Sequence, residues 1–177
     1  MKSPVFSMRY KTKEGFDDLV MTSDGEVLTG LSFMESRKLE GSGTSCGHAM
    51  LPVFQECRRW LDLYFSGREP GFLPPYALCG ASEFRLEVSR LMLEIPFGQT
   101  VTYGELAKAV ACRRGLPKMS AQAIGGAVGW NPLCLIIPCH RVIGAQGKMT
   151  GYGGGLHNKL ALLAHEQRHS ASSFPRG

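Results

Sequence analysis

A cysteine followed by a histidine, at the end of an apolar run, is the part of this sequence with the clearest capacity for chemistry. The segment Ile-Ile-Pro-Cys-His-Arg-Val occupies residues 136–142. Proline has no N–H group to donate, so Pro138 must end a buried apolar strand and turn the chain. The turn would present Cys139 to a substrate, with His140 as a base and Arg141 as a positive charge. Because a thiol attacks well only as a thiolate, and a neighbouring imidazole or cation lowers its pKa, the segment indicates a nucleophilic cysteine.

The Cys-His pair by itself is also compatible with a structural role. A cysteine near a histidine is more often a small buried hydrophobe beside a hydrogen-bonded ring. The six cysteines show no short paired spacing, which argues against a disulfide framework and against a CxxC zinc site. Cys46, His48 and Cys57 are too irregularly spaced to predict a metal site. Unpaired thiols favour a reducing, intracellular compartment.

The charge is distributed unevenly along the chain. Residues 1–79 contain nine basic and ten acidic side chains, whereas residues 80–177 contain 11 basic and 5 acidic ones. The half that contains the Cys-His pair therefore has a net charge of +6 and would attract a polyanion. A merely solvated basic face would give the same composition. No apolar run approaches the roughly 20 residues of a membrane span, and the first residues do not resemble a signal peptide.

The first half of the chain predicts a small antiparallel sheet with one helix against it. Three short segments have strand patterns: residues 5–11, 18–22 and 26–33. A turn at Ser23-Asp24-Gly25 would join the second strand to the third. Residues 37–50 predict a loop, and Pro52 suits the first position of a helix that continues to Gly67. No catalytic residue is predicted in this half.

The second half predicts three helices after a proline-rich linker over residues 68–79. Pro96 stops the first helix, which has one apolar stripe. Thr102 followed by Glu105 fits a capping box at the start of the second. Ser120 can cap the third. The predicted helices cover residues 84–95, 103–111 and 121–129.

The third predicted helix contains two adjacent glycines that weaken it. Gly125 and Gly126 each cost about 1 kcal/mol of helix propensity relative to alanine. Small residues allow the close approach of a large neighbour, which can be another helix or the groove of a duplex. Composition alone favours packing against a helix. Two helices joined by a loop on a basic half also match a helix-turn-helix unit, although this loop is longer than usual.

Several segments around Cys139 resemble, in order and spacing, the O6-alkylguanine-DNA alkyltransferases, or methylated-DNA–protein-cysteine methyltransferases. They are Asn131-Pro132, the apolar residues 133–137, Pro-Cys-His-Arg-Val-Ile-Gly at 138–144, Thr-Gly-Tyr-Gly-Gly-Gly-Leu at 150–156, and His165-Glu166. The resemblance covers residues 84–166, about half the chain. Together with the strand and helix patterns of the first half, it predicts an α+β protein with an N-terminal domain of antiparallel sheet and helix over residues 1–75. A mostly helical domain with a helix-turn-helix-like DNA-binding unit would cover residues 80–168, and residues 169–177 would form a disordered tail.

By this resemblance, the protein repairs DNA by direct reversal of damage. It would flip O6-alkylguanine out of duplex DNA and transfer the alkyl group irreversibly to Cys139. The thioether product has no good leaving group, so each molecule would act once. No cofactor or metal is implied. The expected partner is double-stranded DNA containing O6-alkylguanine, bound through the minor groove by a monomer without membrane attachment, in the cytoplasm.

The resemblance also implies roles for individual residues. The catalytic residues would be Cys139 as nucleophile, His140 as a proton relay through a water, Glu166 as orienter of the imidazole, Asn131 as brace of the turn, and Tyr103 as an aid to nucleotide rotation. The substrate-binding residues would be Val142, Tyr152, Gly153 and Lys159. The DNA-binding residues would be Thr102, Ala121, Gln122, Ala123, Gly125 and Arg141, although Arg141 is better suited to anchoring the turn. Gln122 stands where the family commonly has arginine, and Gly153 where it often has serine.

Two other functions are compatible with parts of the sequence. A Cys-His hydrolase would form a thioester that water releases, and it would therefore turn over. An alkyltransferase-like binding protein would flip the damaged guanine without chemistry. Such proteins typically replace the cysteine that is present here as Cys139.

Overall fold

The computed structural model describes residues 5–34 and 51–170. A three-stranded sheet and one helix come first: β1 (Phe6–Tyr10), β2 (Leu19–Ser23), β3 (Leu28–Phe33) and α1 (Pro52–Phe65). The remaining elements are α2 (Glu83–Leu93), β4 (Val101–Thr102), α3 (Tyr103–Arg113), α4 (Ala121–Trp130), β5 (Val142–Ile143) and α5 (Leu156–Ser170). This is the α+β architecture that the sequence predicts.

The N-terminal sheet is antiparallel, with strand order β1-β2-β3. Leu19 and Met21 of β2, and Leu31 and Phe33 of β3, alternate along their strands and are buried in the core. Helix α1 starts at Pro52, as predicted, because the first turn of a helix does not need the N–H group that proline lacks. The N-terminal half thus forms a sheet with a helix against it.

Helices α2, α3 and α4 pack against one another in the second half. The predicted capping box starts α3: Thr102 Oγ1 accepts from the Glu105 backbone N–H at 3.1 Å, and the Glu105 carboxylate accepts from the Thr102 backbone N–H at 2.7 Å. Ser120 caps α4 by accepting from the first backbone N–H groups of that helix. The predicted starts of both helices are confirmed, and α3 and α4 form the helix-turn-helix-like unit.

The predicted strand before Pro138 is wrong, because residues 133–137 form a buried turn. Leu133 makes only an isolated bridge to Leu31 of β3, and Leu135 has a positive φ of 65°. The backbone N–H of Ile137 donates to the carbonyl of Leu133 at 3.0 Å, which closes the turn. Short apolar runs do not distinguish a buried strand from another buried conformation by pattern alone.

Residues 139–141 form a single turn of 3-10 helix, directly after the proline at which the sequence predicts that the chain turns. Strand β5 follows this turn directly and pairs in parallel with β4, the strand that immediately precedes α3. The pairing places the start of α3 beside the segment that contains Cys139.

Buried side chains from both halves of the chain form one hydrophobic cluster. Helix α5 continues to Ser170, so the predicted disordered tail begins too early. Residues 171–177 and the loop predicted at 37–50 lie outside the described residues. None of the helices within residues 5–34 and 51–170 has the length and apolar character needed to cross a membrane.

Candidate active site

Cys139 begins the 3-10 turn, where the Asn131 side chain holds it. Asn131 follows α4 directly, and its Nδ2 donates to the Cys139 sulfur at 3.0 Å and to the Ile137 carbonyl at 2.8 Å. The backbone N–H of Leu133 donates back to Asn131 Oδ1 at 3.0 Å. Asn131 therefore braces both ends of the buried turn as well as the thiol, which is the position that the sequence predicts for it.

The Cys139 thiol lines a cavity of about 110 Å³. Strand β3, the last turns of α4 and the glycine-rich loop over residues 151–154 form its walls. Cys139 is only 7% exposed, so a reactant must enter this cavity to meet the sulfur. Of the predicted site residues, Tyr103, Gly125, Asn131, Tyr152 and Gly153 also line it. Strand β3 contributes Leu31, Ser32 and Phe33. This contribution was not predicted, because the pattern of the strand indicates a place in the sheet and gives no sign that it borders a cavity.

His140 is fully buried and bonded to Glu166 of α5. Its Nε2 lies 2.7 Å from Glu166 Oε1, and a carboxylate accepts, so Nε2 carries the hydrogen. Nδ1 is then the acceptor of the ring, and it has no hydrogen-bond partner among the described residues. A buried acceptor without a partner, one residue from the thiol, could receive a proton through an intervening water.

The Glu166 carboxylate also accepts hydrogen bonds from the Gly98 backbone N–H at 2.9 Å and from the Arg141 guanidinium at 2.9 Å. Burial would raise the pKa of this carboxyl, but the hydrogen bonds and charges of His140 and Arg141 outweigh burial and hold the pKa well below its usual range. Glu166 is therefore ionised.

Tyr64 of α1 is a site residue that the sequence analysis missed. Its buried hydroxyl donates to Glu166 Oε1 at 2.7 Å and lies 3.4 Å from His140 Nε2. The sequence predicts no catalytic residue in the first half, and Tyr64 shows that this half nevertheless contributes a contact to the site. A buried tyrosine requires a partner for its hydroxyl, but no local pattern indicates that this partner is 102 residues away.

Arg141 is buried, so its assignment as a DNA-binding residue is wrong. Its guanidinium bonds the Glu166 carboxylate, and its Nη1 donates to the Ile95 carbonyl at 2.6 Å. These contacts tie the 3-10 turn to α5 and to the end of α2. Arg141 thus anchors the turn, which is the alternative that the sequence favours.

The resting site pairs an uncharged thiol with an uncharged imidazole. Burial raises the pKa of the Cys139 thiol, although the hydrogen bond from Asn131 and the positive charge of Lys159 oppose this effect. Burial lowers the pKa of His140, although Glu166 opposes it. The thiolate must therefore form when a reactant is in place, by transfer of its proton to a base.

Val142 and Lys159 do not line the cavity. Lys159 is fully buried, and its Nζ donates to the Val142 carbonyl at 2.6 Å. Nζ also lies 6.0 Å from the centre of the Tyr152 ring, which does line the cavity. Lys159 therefore positions the backbone that follows Cys139. Its side chain does not line the cavity and would not contact a ligand there.

Helix α4 presents small residues to the solvent. A Cβ added at Gly125, Gly126 or Gly129 would meet no neighbouring atom within 4 Å. Packing against another helix therefore does not explain these glycines, although composition alone favours that explanation. Residues 121–123, in the first turn, are exposed, and Gly125 and Gly129 border the cavity. This surface of α4 is open to a large partner.

Cys57, Cys79, Cys112 and Cys139 are free thiols. Within residues 5–34 and 51–170, no three His, Cys, Asp or Glu side chains are grouped to hold a metal ion. Cys46 and His48, which the sequence analysis considered, lie outside the described residues.

Comparison with known proteins identifies the family. Residues 83–168 match the family model described as the DNA binding domain of 6-O-methylguanine DNA methyltransferase. A methylated-DNA–protein-cysteine methyltransferase of Mycobacterium leprae is 40% identical over 159 residues, which cover 88% of this chain and 90% of that protein. A protein of the same name from Methanosarcina acetivorans is 40% identical over 149 residues, covering 84% and 90%. The crystal structure of Mycobacterium tuberculosis OGT in complex with DNA has a TM-score of 0.77 and 35% identity, covering 92% of this chain and 93% of that chain. The chain therefore belongs to the methylated-DNA–protein-cysteine methyltransferase family.

Proposed function

We propose that this protein repairs alkylated DNA by transferring the alkyl group from O6 of guanine to the sulfur of Cys139. The observation that carries the proposal is a thiol in the wall of a cavity, next in sequence to a buried imidazole that is bonded to Glu166. Membership of the family supports the reaction class, and the cavity and thiol support its assignment to Cys139.

The substrate must leave the base stack before the thiol can reach it. The alkylated oxygen lies within the stack of an intact duplex, so the base has to be flipped out. The open, small-residue surface of α4 supports docking in the minor groove, where bulky side chains would not fit. Gln122, exposed in the first turn of α4, would fill the gap in the stack. Tyr103, at the start of α3 and in the wall of the cavity, would contact the flipped nucleotide.

The transfer step needs a base, an orienter and an in-line approach of sulfur to carbon. His140 Nδ1 takes the thiol proton through a water, while Nε2–H stays bonded to Glu166, which stabilises the imidazolium that forms. The sulfur attacks the alkyl carbon, the S–C bond forms, and the C–O6 bond breaks with its electron pair moving to the guanine. Return of the proton from the imidazolium to the base releases neutral guanine.

The product keeps the alkyl group as a thioether on Cys139. Unlike a thioester, a thioether offers water no good leaving group, so the sulfur is not regenerated. The protein is then a transferase by reaction and a stoichiometric reagent by kinetics, without a cofactor or metal. We place this activity in a reducing compartment such as the cytoplasm, because Cys57, Cys79, Cys112 and Cys139 are free thiols. One protomer contains the complete constellation, which supports action as a monomer on double-stranded DNA.

The proposed function predicts one alkyl group per protein, on Cys139. After incubation with duplex DNA containing O6-methylguanine, intact-mass spectrometry should show a single added methyl group, and peptide mapping should place it on Cys139 instead of the neighbouring Cys134. The Cys139→Ala variant should gain none, whereas Cys112→Ala, which removes an exposed thiol, should react like the wild type. A methyl group that persists in Cys139→Ala contradicts the assignment.

The same experiment separates the two alternatives. A damage-binding protein without chemistry would bind the duplex and gain no mass. A Cys-His hydrolase would release more than one product per protein from an ester or peptide and would leave methylated DNA unchanged. The presence of the thiol in the cavity argues against the first alternative, and the family argues against the second.

A further inference from the structure

Asn158, in the first turn of α5, connects the N-terminal half of the chain to the loop that walls the cavity. Its side chain is fully buried. Nδ2 donates to Asp17 Oδ2 at 2.7 Å and to the Gly154 carbonyl at 2.7 Å. In return, Oδ1 accepts from the Asp17 backbone N–H at 3.1 Å. Both polar atoms of the amide are therefore hydrogen-bonded, and together they join the β1–β2 loop to the glycine-rich loop.

Asp17 makes this contact with a carboxylate that has a second partner. His157 Nε2, also in the first turn of α5, lies 2.7 Å from the same Asp17 oxygen. The neighbouring carboxylate of Asp18 has a different set of contacts, since it accepts from Arg9 Nε at 2.9 Å and from the Thr12 backbone N–H at 3.0 Å. Asp17 thus reaches α5, whereas Asp18 stabilises its own loop.

Gly154, whose carbonyl Asn158 holds, lies tightly between two aromatic rings. A Cβ at this position would come within 2.4 Å of the Tyr152 ring and 2.7 Å of the Phe33 ring. Tyr152, Gly154 and Phe33 all line the cavity together with the thiol. The position of this wall therefore depends on the hydrogen bonds of Asn158, and through them on Asp17.

Lys159, the next residue along α5, contacts the segment that contains the thiol. Lys159 Nζ donates to the carbonyl of Val142, which directly follows the 3-10 turn that begins with Cys139. Asn158 and Lys159 thus attach the loop wall and the thiol segment to the same helical turn. This arrangement fixes the separation between the sulfur and the loop.

We propose that Asp17 is a positioning residue for alkyl transfer: through Asn158 it holds the glycine-rich loop in the place that accepts the flipped base. The inference rests on the proposed function and assigns the N-terminal half a part in base recognition, although Asp17 touches no reacting atom. Without the carboxylate, Asn158 loses a partner and the loop is free to shift. Displacement of a reactant by about 1 Å can slow a reaction by about a hundredfold.

Single-turnover kinetics on the full chain test the proposal. The Asp17→Ala variant, with saturating O6-methylguanine duplex, should transfer the methyl group at least about tenfold more slowly than the wild type. Its reaction with iodoacetamide, a small electrophile that needs no positioned base, should stay within about twofold. Asp17→Asn retains an acceptor oxygen for Asn158 and should recover most of the rate. The matched control is Asp18→Ala, which alters the same loop without touching α5 and should react like the wild type.

Hydrogen exchange at Gly155 makes the inference testable apart from the function. The Gly155 N–H donates to the Tyr152 carbonyl at 3.0 Å within the loop, so Asp17→Ala should accelerate its exchange while Asp18→Ala should not. Wild-type transfer or unchanged exchange in Asp17→Ala overturns the proposal, as does an equal loss of rate towards iodoacetamide. If the wild type itself transfers no methyl group, the proposed function fails, and the exchange result still decides whether Asp17 holds the loop.

Discussion

Among single residues, Glu166 has the largest number of connections in the site. Its carboxylate accepts from Tyr64 of α1, from the Gly98 backbone after α2, and from His140 and Arg141 of the 3-10 turn. These donors keep the carboxylate ionised, and its charge fixes the tautomer of His140. Burial lowers the pKa of His140 against the effect of this carboxylate, and Nδ1 has no hydrogen-bond partner among the described residues.

Tyr64→Phe should slow alkyl transfer, because the hydroxyl orients the carboxylate that orients His140. Hydrogen bonds to charged groups contribute about 1.5–3 kcal/mol, so a rate loss of about tenfold is expected at neutral pH. Tyr10→Phe is a matched control: the Tyr10 hydroxyl donates to Asp62 of α1 at 2.8 Å, away from Glu166. Single-turnover rates and thermal midpoints should be measured for both variants. Equal rate losses in the two would assign Tyr64 a purely structural role.

The sequence predicts the candidate reactive residues better than the residues that hold them in place, such as Tyr64. Cys139, His140 and Glu166 belong to a dense motif, so their types and spacing identify them. The contact of Tyr64 with Glu166 joins residues 102 apart, and nothing local indicates it. Arg141 illustrates the opposite error, because a positive charge in a basic half suggests DNA binding until its burial is known.

At the scale of secondary structure, α4 contains glycines that contacts within the described residues do not explain. Its glycines weaken the helix, yet the space around them is open. The sequence predicts where α3 and α4 start, since Thr102 and Ser120 cap through local hydrogen bonds. The sequence predicts a turn at Pro138 but not the turn over residues 133–137, because the latter depends on Asn131 and on a positive φ at Leu135, which apolar patterning does not indicate.

Gly126→Leu should separate the two explanations of the glycines in α4. Leucine has a higher helix propensity, and a Cβ at this position meets no neighbouring atom within 4 Å, so the free energy of unfolding should rise by about 0.5–1 kcal/mol. Binding to duplex DNA should weaken, because the added side chain obstructs the groove. Urea unfolding and fluorescence anisotropy measure these quantities, with Ala164→Leu on the exposed side of α5 as control. A destabilised variant with normal DNA binding would support helix packing instead.

At the scale of the whole molecule, the two halves share one hydrophobic cluster, and the site draws on both. The division into domains over residues 1–75 and 80–168 remains a prediction. Strand β3 walls the cavity, α1 supplies Tyr64, and the β1–β2 loop reaches α5 through Asp17. The family motif lies in the second half, so the sequence indicated only the part of the site that contains Cys139, His140 and Glu166.

The stability of the fold should fall on mild acidification because of its buried histidines. Burial lowers the pKa of both His140 and His165. As the pH falls, these histidines are protonated at a higher pH in the unfolded chain than in the folded one. The free energy of unfolding is therefore at its maximum above about pH 6.5 and decreases below that pH, by at most about 1.4 kcal/mol per pH unit for each group. Urea unfolding at pH 7 and pH 5 measures the loss, and His165→Gln should make it smaller. Equal stability at the two pH values would contradict this expectation.

Gly98 restricts how the family site can change in evolution. Its backbone N–H donates to Glu166, its φ is +77°, and a Cβ there would lie 2.6 Å from the Cβ of Ser170 at the end of α5. Every missense change in a glycine codon introduces a side chain, so no amino-acid replacement at this position avoids both the strained backbone and the collision. A descendant of this gene could therefore lose Gly98 only together with a rearranged helix end, which makes the position a sensitive marker of whether a relative preserves the same carboxylate geometry.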